Sequence, residues 1–150
     1  MGTITTEMCN SFKTELLGGV HDLDTDVLKL ALIKPSPTGN FNKATTNYSN
    51  LTSSSDEATG TNYSAGGQVL DSPAIALSGD TATLDFADEI FSNLTLSAAG
   101  ALLYNSSTKA SVANRAIAVF SFGATVAATA GDFTVIFPTA DASNAVIRIT

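Results

Sequence analysis

Apolar residues return along this chain at two different periods. Near the N-terminus Met8, Phe12 and Leu16 recur at three-to-four spacing, with Cys9 beside them, the stripe of an amphipathic helix. Thr5 or Thr6 can cap it, and Glu7 lies early, where a helix N-terminus favours negative charge. Gly18-Gly19 supplies the stop, because glycine takes the left-handed conformation that ends helices. The pattern therefore predicts a helix over about residues 6–18.

Beyond the glycines the period shortens. Val27 to Lys34 is dense in leucine and β-branched residues and ends at Pro35-Ser36-Pro37, a firm strand stop. From Thr38 to Gly67 the chain is rich in Asn, Ser, Thr and Gly, with Phe41, Tyr48, Leu51 and Tyr63 as isolated apolar anchors. About 30 residues without a clear period is long for a structureless loop. It reads as an ordered surface excursion with one helical turn near Ala44–Leu51, or as a binding loop.

From Gly67 onward short strands follow one another. Candidates are Gln68–Asp71, Ala74–Ser78, Thr81–Phe86, Phe91–Ser97, Ala101–Asn105, Ala116–Phe122, Phe133–Phe137 and Ala145–Ile149. Ser78-Gly79-Asp80, Asn105-Ser106-Ser107, Ala130-Gly131-Asp132 and Pro138 to Asn144 punctuate them as turns. Strands at such spacing, several alternating apolar with polar, predict antiparallel pairing with one face buried. The expected fold is mainly β: a single domain over residues 1–150, an antiparallel β-sandwich of about eight or nine strands in jelly-roll-like order.

Composition narrows the function. Hydrophobic residues make up 44% of the 150 residues, and a chain of this length buries roughly 70% of its unfolded surface without a metal or disulfide staple. Only 14% is charged, against about 25% in ordinary domains; Ser, Thr, Asn, Gly and Ala take the place of the charge. Disordered chains combine low hydrophobicity with high net charge, so disorder is excluded. The formal charge of −7 repels phosphate backbones and anionic membrane surfaces, so neither nucleic acid nor membrane is an expected partner. The N-terminus lacks a basic segment followed by an apolar run, so no signal peptide is expected, and no stretch reaches the ~18 apolar residues of a membrane span. Gly2 with Thr6 fits the loose acylation pattern, which is common by chance.

Candidate chemistry is sparse. One cysteine, Cys9, and one histidine, His21, cannot form an internal disulfide or a Cys/His zinc site. Cys9 reads as a small buried hydrophobe and His21 as a capping or turn residue. Asp22, Asp24 and Asp26 resemble the start of a calcium loop, but Val27 and Ile33 stand where that loop needs glycine and glutamate. A hydrated acidic turn is the plainer reading, with weak surface calcium as the alternative. Asp85, Asp88 and Glu89 lie near one strand end, and with no tryptophan in the chain they read as a turn rather than a glycosidase pair. No Gly-x-Ser-x-Gly elbow and no phosphate loop is present. The sequons at Asn47, Asn50, Asn62, Asn93 and Asn105 follow from a composition rich in Asn, Ser and Thr. Catalysis and cofactors are not expected.

The string Cys9-Asn10-Ser11-Phe12-Lys13-Thr14-Glu15-Leu16-Leu17-Gly18-Gly19-Val20-His21, followed by Leu28-Lys29-Leu30-Ala31-Leu32, resembles a family of small tailed-phage proteins. Gly60–Gly67, Leu84–Asp88, Gly100–Asn105 and Gly131–Val135 are similar to further segments of that family, in the family's order. The resemblance implies a virion structural protein, made in the host bacterial cytoplasm and encoded among head genes. Its preferred role is that of a capsid decoration or cement protein, a homotrimer on the outer surface of the shell of major capsid protein. The alternatives are a tail or head–tail connector component, or a surface glycan- or receptor-binding module. Aromatic side chains are favoured interface anchors, so Phe41, Tyr48 and Tyr63 are candidate contacts to another subunit or to the shell; equally, they can pin the excursion to its own core.

Overall fold

A computed structural model describes residues 1–150. The chain is mainly β, with two antiparallel sheets. The elements in order are β1 (Glu7–Met8), α1 (Asn10–Leu17), β2 (Leu28–Ile33), α2 (Ser49–Ser53), β3 (Gln68–Val69), β4 (Ala74–Ser78), β5 (Thr81–Asp85), β6 (Glu89–Asn105), β7 (Arg115–Val135) and β8 (Ile147–Ile149). One sheet has the order β1-β7-β6-β2-β3 and the other β4-β5-β8. Eight strands match the expected number. Hairpin neighbours β4-β5 and β6-β7 replace the paired Greek keys of a jelly roll.

The centre is the long hairpin of β6 and β7, which pair from Glu89↔Val135 to Asn105↔Arg115. β2 adds to its other edge, with Leu28 opposite Asn105 and Ile33 opposite Gly100. Leu28, Leu30, Ala31, Leu32 and Ile33 are all buried, so β2 is covered on both faces. That accounts for its near-continuous apolar sequence. Consecutive residues of a strand face opposite ways, and Tyr104 and Asn105 show what covers each side. Tyr104 donates its hydroxyl to the Gly66 carbonyl in the polar excursion. Asn105 instead reaches His21, beyond the end of α1. The excursion thus covers one face of the larger sheet, with Phe41, Leu51 and Ala58 inserted into the core. On the opposite side Phe12 of α1 packs against His21, ring centroids 5.1 Å apart.

Three expectations are corrected. The helix starts at Asn10 rather than near residue 6, because Glu7 and Met8 pair with Val119 and Ala118 as β1; Cys9 is its extended N-cap, without a side-chain cap bond. The helical turn of the excursion lies at Ser49–Ser53, displaced toward the C-terminal end of the expected Ala44–Leu51. The third concerns the hairpin. Phe91–Ser97 and Ala101–Asn105 are one strand, and Ala116–Phe122 runs on through Phe133 as β7. Ala130-Gly131-Asp132 does not reverse the chain. Ala130 and Asn93 have positive φ, 47° and 51°, and the register shifts between Phe91 and Leu94 and again before Leu96. The Asn93 N–H donates to Asp132 Oδ1, and the Ala130 N–H to Thr95 Oγ1. Turn-forming residues here build facing bulges, which bend a strand without ending it. No helix is long and apolar enough to cross a membrane.

Candidate functional site

The three candidate aromatics converge on the chain's own core. Phe41 is fully buried and its backbone is bonded to Thr3 and Thr5. Tyr48 stacks on Tyr104 with centroids 4.8 Å apart and planes 12° apart, and Tyr63 packs on Phe91 at 5.9 Å. Their hydroxyls share one carboxylate. Tyr48 donates to Glu57 Oε2 at 2.5 Å, while Tyr63 (2.9 Å) and the Gly66 N–H (2.6 Å) donate to Oε1. Tyr63 Oη also accepts from the Leu32 N–H. Burial first, with the Glu57 charge, pushes both phenols above their ordinary range. All three tyrosines of the chain therefore gather at Glu57 and Gly66 as a fixed clasp. These contacts tie the excursion to the chain's own core, and Tyr48 and Tyr63 keep part of their surface exposed.

A second clasp lies next to it. Asp56 is fully buried and accepts from the Thr38 and Gly39 N–H groups and from Lys34 Nζ. It closes the turn that follows Pro35-Ser36-Pro37. Neither Asp56 nor Glu57 stood out in the sequence. The signal available was two adjacent acids in a stretch otherwise without charge.

The Asp22–Asp26 run is a turn, not an ion loop. The Asp22 carbonyl accepts from the Thr25 and Asp26 N–H groups, and Asp26 Oδ2 accepts from the Asp22 N–H. Asp26 points inward, where Asn105 Nδ2 (2.6 Å) and Lys109 Nζ (2.6 Å) hold it. Lys109 already supplies the cation, while Asp22 and Asp24 are exposed. No three carboxylate, histidine or cysteine side chains come together where a metal could be held.

His21 is more than a turn residue. Asn105 Nδ2 lies 3.0 Å from Nδ1; an amide donor there makes Nδ1 the acceptor and leaves the proton on Nε2. Nε2 then donates to Glu15 Oε2 at 2.7 Å, and Glu15 Oε1 accepts from Arg115. The chain Arg115–Glu15–His21–Asn105–Asp26–Lys109 ties α1 to both central strands. Arg115 bonds through both terminal nitrogens, to Glu15 Oε1 and the Lys109 carbonyl, while its buried Nε has no partner. Cys9 is buried, and burial, followed by the nearby Glu15 charge, pushes its thiol up to about 12. It is not a nucleophile in the folded protein.

One stretch of uncovered apolar surface lies on the small sheet. Its register sets Ile75 opposite Leu84 and Leu84 opposite Ile147, then Leu77 opposite Ala82 and Ala82 opposite Ile149. Opposite residues share a face, so this face is apolar throughout. Leu84 and Ile147 are buried, whereas Ile75, Leu77 and Ile149 are 56%, 74% and 50% exposed. A groove of about 520 Å³ separates the face from Leu16, His21 and Leu23. A second apolar groove, about 450 Å³, lies between β7 and the chain after it, lined by Phe120, Phe122, Phe133 and Phe137. Such surface is what contacts with other proteins use. Comparison with family models, with curated proteins and with solved structures finds no match for this chain.

Proposed function

We propose that this chain is a structural protein of a tailed-phage virion. It decorates the capsid, binding the outer surface of the major capsid protein shell as a homotrimer and stabilising it. The protein acts by binding rather than by catalysis. The reading rests on the family resemblance of the Cys9–His21 string and the segments that follow it in order. The observation that carries its mode of action is the apolar face of the small sheet, open at Ile75, Leu77 and Ile149 beside a body tied by two carboxylate clasps. A rigid body with an unpartnered apolar face suits adhesion. Repetition over a symmetric shell makes modest single contacts strong together.

A cryo-electron-microscopy map of the particle tests this. Density for the chain at repeated positions over the whole shell is the expected result. Density confined to one vertex or to the tail would replace decoration by the connector reading. Binding on a glycan array, with no density on the shell, would favour the receptor-binding module.

A further inference from the structure

β4 is the edge strand of the small sheet: its one neighbour is β5. Every second residue of Ala74–Ser78 turns its backbone N–H and C=O away from β5. Natural edge strands are guarded by charges, prolines or bulges. Here the strand itself is Ala-Ile-Ala-Leu-Ser, with Pro73 ahead of it rather than within it, and its register with β5 is unbroken. A free edge and an open apolar face therefore coincide at Ile75 and Leu77.

The charge around this edge says what fits it. From Ala44 to Thr108 the sequence has no lysine or arginine. Asp71 and Asp80 flank β4 and are exposed, and Asp22 lines the adjoining groove. The one base on the sheet, Arg148, stands opposite Thr83, off the apolar face, and donates to the Ala142 carbonyl. A second copy of the chain fits badly. Antiparallel pairing of β4 with itself about Ala76 sets Asp80 of one chain opposite Ser72 of the other, beside Asp71. Parallel pairing stacks each aspartate on its equivalent. Like charges so placed oppose pairing.

We propose that β4 is a docking edge for an extended segment of a protein partner, added as a fourth strand. The segment carries apolar side chains at alternate positions, continuing the face of Ile75 and Leu77. Lysine or arginine at its ends meets Asp71 and Asp80. This inference takes up the face that the virion reading uses for adhesion and names what binds there; its test needs no particle, so the two can fail separately.

The probe is a short synthetic peptide in which valine and threonine alternate between two terminal lysines, titrated into the isotope-labelled full chain. The expected result is amide resonance shifts centred on Ala74–Ser78. Exchanging the lysines for glutamates should weaken binding about tenfold, the summed effect of exposed charge pairs turned from attractive to repulsive. The double variant Asp71→Lys with Asp80→Lys should reverse the preference between the two peptides while leaving the circular dichroism spectrum unchanged. No binding, equal binding of both peptides, or shifts centred elsewhere would overturn the proposal. So would self-association in sedimentation that Leu77→Lys abolishes, since a second copy would then be the occupant.

Discussion

Replacing Asp56 by asparagine keeps the shape of the side chain and removes its charge. The carboxylate accepts from the Thr38 N–H at 2.8 Å, the Gly39 N–H at 2.7 Å and Lys34 Nζ at 2.9 Å. An amide oxygen still serves one backbone N–H, but its NH2 group faces the other, donor against donor. Hydrogen bonds to a charged acceptor are worth about 1.5–3 kcal/mol each. Lys34 retains 34% side-chain exposure and recovers part of its loss from water. The net cost is then about 3 kcal/mol, which for a chain of this size lowers Tm by about 6–12 °C. The pH dependence follows from the same contacts. Burial alone would raise the Asp56 carboxyl, but the Thr38 and Gly39 N–H groups, with Ser54 and Lys34, outweigh it and hold it well below the usual carboxylate range. The folded state thus binds the proton more weakly than the unfolded chain. Its stabilisation is complete above the unfolded pKa of about 3.9 and is lost as pH falls through the lower folded value. Thermal melts of both proteins at about pH 7 and about pH 2.5 should show a gap that narrows in acid. An equal gap at both pH values, or one under about 2 °C at neutrality, would refute the reasoning.

Glu89 has the opposite sign: burial first, then the Asp71 charge, raises its carboxyl. Stability from this group is complete below the unfolded pKa and is lost as pH rises through the folded one, so Glu89→Gln should raise Tm at pH 7 and change it little near pH 4. A lower Tm at pH 7 would count against this. Gly67 has φ +73°, and a Cβ there would lie 1.8 Å from the Leu30 carbonyl oxygen; Gly67→Ala should cost more than about 2 kcal/mol in urea unfolding and increase hydrogen exchange at β3. Cys9 should react with Ellman's reagent only as fast as the protein unfolds, and rapid stoichiometric labelling of the folded chain would show its burial to be wrong.

What was legible in the sequence is what depends on local pattern. Ala74–Ser78 is a strand with the expected bounds, and β2 falls within Val27–Lys34, because periodicity and flanking turns set both. Ambiguity began where one local signal serves two structures. Ala130-Gly131-Asp132 is as good a bulge as a turn, and only Asn93 and Thr95 on the facing strand decide between them. Glu7 and Met8 fit a helical stripe, and Val119, more than a hundred residues away, recruits them to a sheet. The polar clasps were hidden for the same reason. Glu57 gains its meaning from Tyr48, Tyr63 and Gly66 together. The open face of β4 was invisible because Ile75 and Leu77 look alike whether a neighbour covers them or not.

The pairing of β1 with β7 also carries a kinetic consequence. Glu7 lies opposite Val119, and Leu28 lies opposite Asn105, so neither N-terminal strand has its partner until most of the chain has left the ribosome. β6 and β7, by contrast, close across a short connection between Asn105 and Arg115, the kind of local contact that forms early. The hairpin is then the template, β2 joins its open edge, and the N-terminal segment closes last. Synthesis runs from N to C, while assembly of the central sheet runs largely from C to N.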